Sequence, residues 1–236
     1  MIQQNKLHDF LLFNFLAIDE ENAIDICEAG NGYIVPGIVA SSYVNIEVAA
    51  NKVKELKTVS NCVSIGLGGG GDVTNWAKVM EIAEQSDPGH INQPFEKASY
   101  VKGYLQGRGV PQVVNGLISP TGEVGIIQLS SGVRMKVEEF MEVAHYIGIE
   151  SIKVMPVKGK THLHELVYIT KVAAKQGIRA VEPAGGIEAR NIKAIVDGIK
   201  NTGIELFMPH IFGSTIDKET GKTIPEKVKQ ILLEVE

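Results

Sequence analysis

The residue best placed for covalent chemistry in this chain is Lys153, within Ser151-Ile152-Lys153-Val154-Met155-Pro156. The run reads as a strand, so Ile152 and Val154 share one face and Lys153 and Met155 the other. A β-branched pair suits contact with a layer of helices, which turns Lys153 toward the opposite side. Burying a lysine is costly unless its amine is paired or neutral. Desolvation lowers its pKa, and a neutral amine attacks a carbonyl carbon to form a Schiff base. The competing reading is a lysine that reaches solvent or pairs with a carboxylate.

Glu182, in Val181-Glu182-Pro183-Ala184-Gly185-Gly186-Ile187, is the matching candidate for a general base or a water-orienting group. Its alternative role is to pair with Lys153 or an arginine. Gly185 and Gly186 allow a tight turn just before a helix, whose first N–H groups bind phosphate well. Gly213 and Ser214 form a second small-residue loop with a hydroxyl donor. Asn92, Asn115 and His210 are further candidate substrate contacts, as are the hydroxyls of Ser41, Ser42 and Ser119. His90, His210 and Glu182 could form a His/His/carboxylate metal set, but neither their spacing nor a helical motif supports one, so no metal is expected. Residues 66–72, Gly-Leu-Gly-Gly-Gly-Gly-Asp, lack the lysine and hydroxyl of a Walker loop and do not match the dinucleotide fingerprint. They read as a mobile loop or as a cover for substrate. His162 and His164 read as surface residues opening a helix, and Trp76 as a helix-packing residue.

Short apolar runs alternate with longer amphipathic ones, the pattern of a parallel sheet covered by helices. Strands are predicted at 10–17, 33–39, 62–67, 90–94, 112–118, 151–155, 179–181 and 205–209, with an extra strand at 123–129 that could form a hairpin with the fifth. Helices are predicted at 20–28 after Asp19, 46–56 after Asn45, 75–85 after Thr74, 137–146, 164–175, 189–201 and 225–235. The segment 96–107 gives the weakest helical pattern. Eight strands with helical crossovers predict a single (β/α)8 TIM barrel over residues 1–236, with its site at the C-terminal strand ends. Phosphate sites in barrels are often built from the loops after strands seven and eight, where the two small-residue loops fall.

The length of 236 residues fits one such barrel. A net charge of −5 argues against a general nucleic-acid binder. Cys27 and Cys62 have no metal-ligand spacing and read as reduced and buried. Neither a signal peptide nor an apolar run able to span a bilayer is evident, so a cytoplasmic protein without a membrane partner is expected. A symmetric homo-oligomer of unspecified size is expected as well.

Ile152-Lys153-Val154-Met155-Pro156 resembles the Schiff-base lysine strand of 2-dehydro-3-deoxy-6-phosphogluconate aldolases, where two bulky apolar residues and a proline follow the lysine. Pro183-Ala184-Gly185-Gly186-Ile187 resembles that family's phosphate loop, and Gly213-Ser214 its last one. The order and spacing of the three agree. A closer resemblance is to a separate branch, labelled 2-dehydro-3-deoxyphosphogluconate or 4-hydroxy-2-oxoglutarate aldolase. It rests on Val114-Asn115-Gly116-Leu117-Ile118-Ser119-Pro120-Thr121-Gly122, Gly66-Leu67-Gly68, His90-Ile91-Asn92-Gln93, Pro209-His210-Ile211 and Ile216-Asp217-Lys218-Glu219, and covers nearly the whole chain. One departure stands out. The better-known trimeric aldolases carry their catalytic glutamate on the second strand, followed closely by an arginine, and Tyr33-Ile34-Val35-Pro36-Gly37-Ile38-Val39 has neither.

The resemblance implies class I retro-aldol cleavage of a small, phosphorylated 2-oxo acid through a Schiff base on Lys153, with no cofactor. Pyruvate and glyceraldehyde 3-phosphate would be the products. Gly185, Gly186, Gly213 and Ser214 would hold the phosphate, and Glu182 would stand in for the missing glutamate. The alternatives are a 4-hydroxy-2-oxoglutarate aldolase, a metal-dependent aldolase, a phosphosugar epimerase and a non-catalytic barrel that binds phosphorylated sugar acids.

Overall fold

The computed structural model describes residues 2–236. Eight parallel strands pair in sequence: β1 (Phe13–Leu16), β2 (Ile34–Val39), β3 (Val63–Gly66), β4 (Gly89–Pro94), β5 (Val113–Pro120), β8 (Ser151–Val154), β9 (Ala180–Pro183) and β10 (Leu206–Phe207). Between β5 and β8 lie the short strands β6 (Ile126–Gln128) and β7 (Arg134–Lys136). The last strand returns to the first. Leu11 bridges Phe207 and Asn14 bridges His210, both parallel, and the Asn14 N–H donates to Pro209 O at 2.9 Å. This closure makes the sheet a (β/α)8 barrel. It also removes the exposed edges that an open sheet would present.

The strands are buried on both faces, as parallel strands under helices must be. Helices α1 (Glu20–Ala29), α2 (Ile46–Leu56), α3 (Trp76–Ser86), α4 (Phe95–Gly107), α5 (Val137–Tyr146), α6 (Leu163–Lys175), α7 (Ala189–Ile199) and α8 (Pro225–Leu233) cover the outside. Helix α7 buries Ile192, Ile195, Val196 and Ile199 at helical spacing, while Lys193 and Asp197 face solvent. Asp19 and Asn45 cap α1 and α2 by accepting from Asn22 N and Glu47 N, both at 2.7 Å.

Inside the barrel, strand alternation separates an apolar layer from a polar one. Leu12, Val35, Cys62, Ala180, Leu206 and Met208 pack together near the strand starts. Two residues further along the same inward faces stand Asn14, Ser64, Glu182 and His210, all buried. His90, Asn92, Asn115, Ser151 and Lys153 complete this buried polar layer. The apolar plug closes one end, so the polar layer can meet solvent only toward the C-terminal strand ends.

Several details differ from the sequence reading. The extra strand shortens to β6, pairs antiparallel with β5, and continues into the unanticipated β7, whose exposed Arg134 and Lys136 carry no apolar signal. The segment before α3 is a 3-10 turn capped by Asp72 rather than a helix capped by Thr74. Helix α4 is complete despite its weak pattern, and β9 extends to Pro183, so Glu182 lies within the strand. Cys27 is half-buried rather than buried. His162 is tucked against Glu165 at 2.5 Å rather than free at the surface. Buried Glu165 also accepts from Thr121 N and Gly122 N at 2.7 and 3.0 Å, pinning the turn after β5 onto α6.

Candidate active site

Lys153 projects from the inward face of β8 and is only 6% exposed. Its Nζ donates to Asn92 Oδ1 at 2.7 Å and lies 2.9 Å from His210 Nδ1. Burial pushes the amine from 10.5 down to about 8, against the pull of the Glu182 charge in the other direction. A drop of that size raises the free amine at neutral pH roughly 300-fold.

Glu182 sits opposite Lys153 in the register of β8 and β9, yet the two make no direct ion pair. The His210 ring stands between them, with Nε2 at 2.7 Å from Glu182 Oε2. Asn115 Nδ2 donates to the same oxygen at 2.8 Å. The other oxygen, Oε1, receives Ser151 Oγ at 2.5 Å and lies 2.9 Å from His90 Nε2. Burial alone would raise this carboxyl, but the charge of His90 and the hydrogen bonds from His210 and His90 outweigh it and hold Glu182 well below the usual range. His210 is driven down to about 3, first by burial and then by the Lys153 charge, against the pull of Glu182.

Two cavities open above this layer and share Lys153, Met155 and Phe212 as walls. The first, about 340 Å³, is lined by Gly185, Gly186, Gly213, Ser214 and His210, with Glu188 at its edge. The second, about 250 Å³, lies under residues 66–71 and includes Asn92 and Leu117. Among the described residues, Lys153 is the only cation on either wall. An anion entering the first cavity would therefore meet backbone N–H groups rather than an arginine. Among the described residues, those of Gly186, Gly213 and Ser214 have no protein acceptor, as a phosphate cradle requires. Gly186 has a φ of +73°, and a Cβ there would lie 2.8 Å from Gly159 N. Glu188 is held as the N-cap of α7 and paired with Arg190.

The predicted residues thus fall into two groups. Lys153, Gly185, Gly186, Gly213, Ser214, His210 and Asn92 line the cavities. Glu182 and Asn115 stand behind them, touching no cavity wall, so Glu182 cannot meet substrate directly in this arrangement. The hydroxyls offered as carboxylate donors line neither cavity; Ser119 Oγ instead donates to Met155 O at 2.9 Å. His90 and His210 both direct Nε2 at Glu182. Among the described residues, no group of three or more His, Cys, Asp or Glu is arranged to hold a metal ion. The sequence reading missed Ser64 and Ser151, which bond His90 and Glu182. Their signal was present as polar residues on inward strand positions, in step with Asn92 and Lys153.

Fold and site together define a (β/α)8 barrel with a buried, hydrogen-bonded amine at the C-terminal mouth. The chain belongs to the KDGP aldolase family, whose pattern matches residues 7–219. A 2-dehydro-3-deoxy-phosphogluconate aldolase of Salmonella typhimurium (strain 14028s / SGSC 2262) is 32% identical over 98% of this chain and 97% of its own length. Among solved structures, a thiamine phosphate pyrophosphorylase from Pyrococcus furiosus matches with a TM-score of 0.59 at 11% identity, covering 96% of each chain. A 3-hexulose-6-phosphate synthase matches with a TM-score of 0.56 at 10% identity, covering 95% of this chain and 100% of its own. At such identities these two establish the barrel alone. No helix among the described residues is long and apolar enough to cross a membrane.

Proposed function

We propose that this chain is a class I aldolase that cleaves 2-dehydro-3-deoxy-6-phosphogluconate to pyruvate and glyceraldehyde 3-phosphate through a Schiff base on Lys153. One observation carries the reading: a buried amine, lowered to about 8, sits where two cavities meet. The substrate has a keto carbon between a short acidic end and a longer phosphorylated end, so one amine with a cavity on each side fits its shape. The family and the name of the Salmonella relative support the substrate class.

Neutral Lys153 attacks C2, and the carbonyl π electrons pass to oxygen. Loss of that oxygen as water leaves an iminium. Removal of the C4 hydroxyl proton then drives cleavage of the C3–C4 bond. Its electron pair enters the iminium to give an enamine, and the aldehyde departs. Protonation at C3 and hydrolysis release pyruvate and restore the lysine. The iminium is the electron sink, so the reaction needs no cofactor. The free N–H groups of Gly186, Gly213 and Ser214 hold the phosphate at the far end of the first cavity, together with the Gly185 turn. That remote binding orients the reacting carbons. Asn92 fixes the amine through its Oδ1, and Asn115 fixes Asn92 by donating to the same oxygen at 2.9 Å.

Borohydride reduction in the presence of pyruvate, followed by peptide mass spectrometry, tests the reading. A reduced pyruvyl adduct on Lys153 is expected. A folded chain with no adduct, or with an adduct on another lysine, counts against it. Turnover of 2-dehydro-3-deoxy-6-phosphogluconate measured beside 4-hydroxy-2-oxoglutarate then assigns the substrate.

The pH dependence has a definite sign. The nucleophile is the deprotonated amine, so kcat/KM is expected to rise as Lys153 loses its proton and to level off above about 8. Glu182 and His210 both titrate far below this range and add no inflection near it. Initial rates between about pH 6 and 11 locate the midpoint. A midpoint at the ordinary lysine value of 10.5 would show that burial does not activate this amine.

A further inference from the structure

Class I chemistry on Lys153 requires a group that takes protons from the attacking nitrogen and returns one to the departing hydroxyl. The second strand supplies no carboxylate for this, and Glu182 lies behind the cavity wall. We propose that His210 is the proton-transfer residue of this aldolase, and that Glu182 is a positioning residue acting through it.

The inference rests on the aldolase reading above and on four geometric facts. His210 Nδ1 lies 2.9 Å from Lys153 Nζ, within direct proton-transfer distance. The same ring lines the first cavity, where the C4 end of the substrate is placed. Its other nitrogen, Nε2, faces Glu182 Oε2 at 2.7 Å. Glu182 meets Ser151, Asn115 and His90 as well as His210, and Ser151 and Asn115 can both donate to it. A carboxylate so surrounded by donors is held ionised and can only accept. The Nε2 position must then carry the hydrogen, which leaves the Nδ1 lone pair aimed at the lysine. His90 braces the far oxygen, with Ser64 Oγ at 2.9 Å from its Nδ1.

The proton count balances. As Nζ bonds to C2, the carbonyl oxygen takes one proton from solvent in the open cavity and becomes a hydroxyl, and His210 Nδ1 takes the proton released by nitrogen; the solvent proton accounts for the positive charge of the iminium. The imidazolium, stabilised by Glu182, returns that proton to the hydroxyl, which leaves as water as the nitrogen lone pair forms the C=N bond. His210 ends neutral and ready for the next transfer. The state of Glu182 does not change.

Three measurements test this. Ring 15N chemical shifts of the wild-type protein at neutral pH are expected to show His210 neutral with hydrogen on Nε2. Hydrogen on Nδ1, or an imidazolium, overturns the proposal without any variant. His210→Asn is expected to lower kcat by on the order of 10²–10⁴-fold with little change in KM, while the pyruvate adduct on Lys153 still accumulates on long incubation. A kcat within a few-fold of wild type overturns the role of His210. Glu182→Gln keeps the volume but can donate to Nε2, which moves the ring hydrogen to Nδ1. It is expected to shift the 15N pattern and to lose activity on the scale of His210→Asn. An unshifted pattern with full activity overturns the positioning role. Wild-type protein that forms no Lys153 adduct overturns the aldolase reading itself. An adduct with unaffected His210 and Glu182 variants overturns only this inference.

Discussion

Lys153→Met is expected to lower kcat on 2-dehydro-3-deoxy-6-phosphogluconate by on the order of 10⁴-fold or more and to leave the barrel folded. The size of the loss follows from the mechanism, since among the described residues no other amine lines either cavity and the covalent route disappears with Lys153. The fold should survive because two terms oppose each other. Methionine leaves His210 Nδ1 without its partner, at a cost of about 1–3 kcal/mol for a buried acceptor. Against this, an amine no longer has to be desolvated beneath 6% exposure. Asn92 Oδ1 keeps a donor in Asn115, so no second orphan appears. Steady-state turnover, a thermal melt and borohydride trapping form the check. A shift in melting temperature of a few degrees is expected, alongside complete loss of the pyruvate adduct. Substantial residual turnover would remove the lysine from the mechanism.

Gly186→Ala is expected to raise KM for the phosphorylated substrate by on the order of 10²-fold while leaving the pyruvate adduct intact. The cause is steric. Gly186 has a φ of +73°, and an added Cβ would stand 2.8 Å from Gly159 N and 3.2 Å from Lys158 C. Both are backbone atoms, so no flexible side chain can yield and the turn itself must move. Strain of this kind costs on the order of 1–3 kcal/mol. It displaces the free N–H groups that substitute for the absent arginine or lysine. Pyruvate has no phosphate and reaches Lys153 without them, so trapping should proceed as in the unaltered chain. Equal losses for both reactions would show that the loop supports the fold rather than the phosphate.

Much of this protein is legible in its sequence, for identifiable physical reasons. Strand-and-helix alternation determined the barrel, because parallel strands buried on both faces need near-continuous apolar runs and helical crossovers. Lys153 stood out because a charged side chain on an apolar strand is costly, and that cost is local enough to read from six residues. The two small-residue loops stood out because glycine exposes backbone N–H groups, and the structure brings both loops to one cavity. The short strand β7 was not readable, since its three residues are largely exposed and their place depends on pairing with β6.

The division of labour inside the site was decided by tertiary structure alone. Glu182 and Lys153 are 29 positions apart in the chain and directly opposed in strand register, which in sequence suggests a pair. What separates them is His210, brought beside Glu182 when the last strand pairs with β9, its N–H donating to Pro183 O at 2.9 Å, and bridged on its other side to Asn14 where the barrel closes. Barrel closure is a long-range event, and no local pattern states how far around the ring a side chain will reach. That closure gathers His90, with Ser64 behind it, together with Asn115 and Ser151 around one carboxylate, from strands far apart in the chain. Sequence determined which groups could do chemistry, because residue type and strand phase are local properties. Only the closed barrel decided which of them face the cavity and which stand behind it.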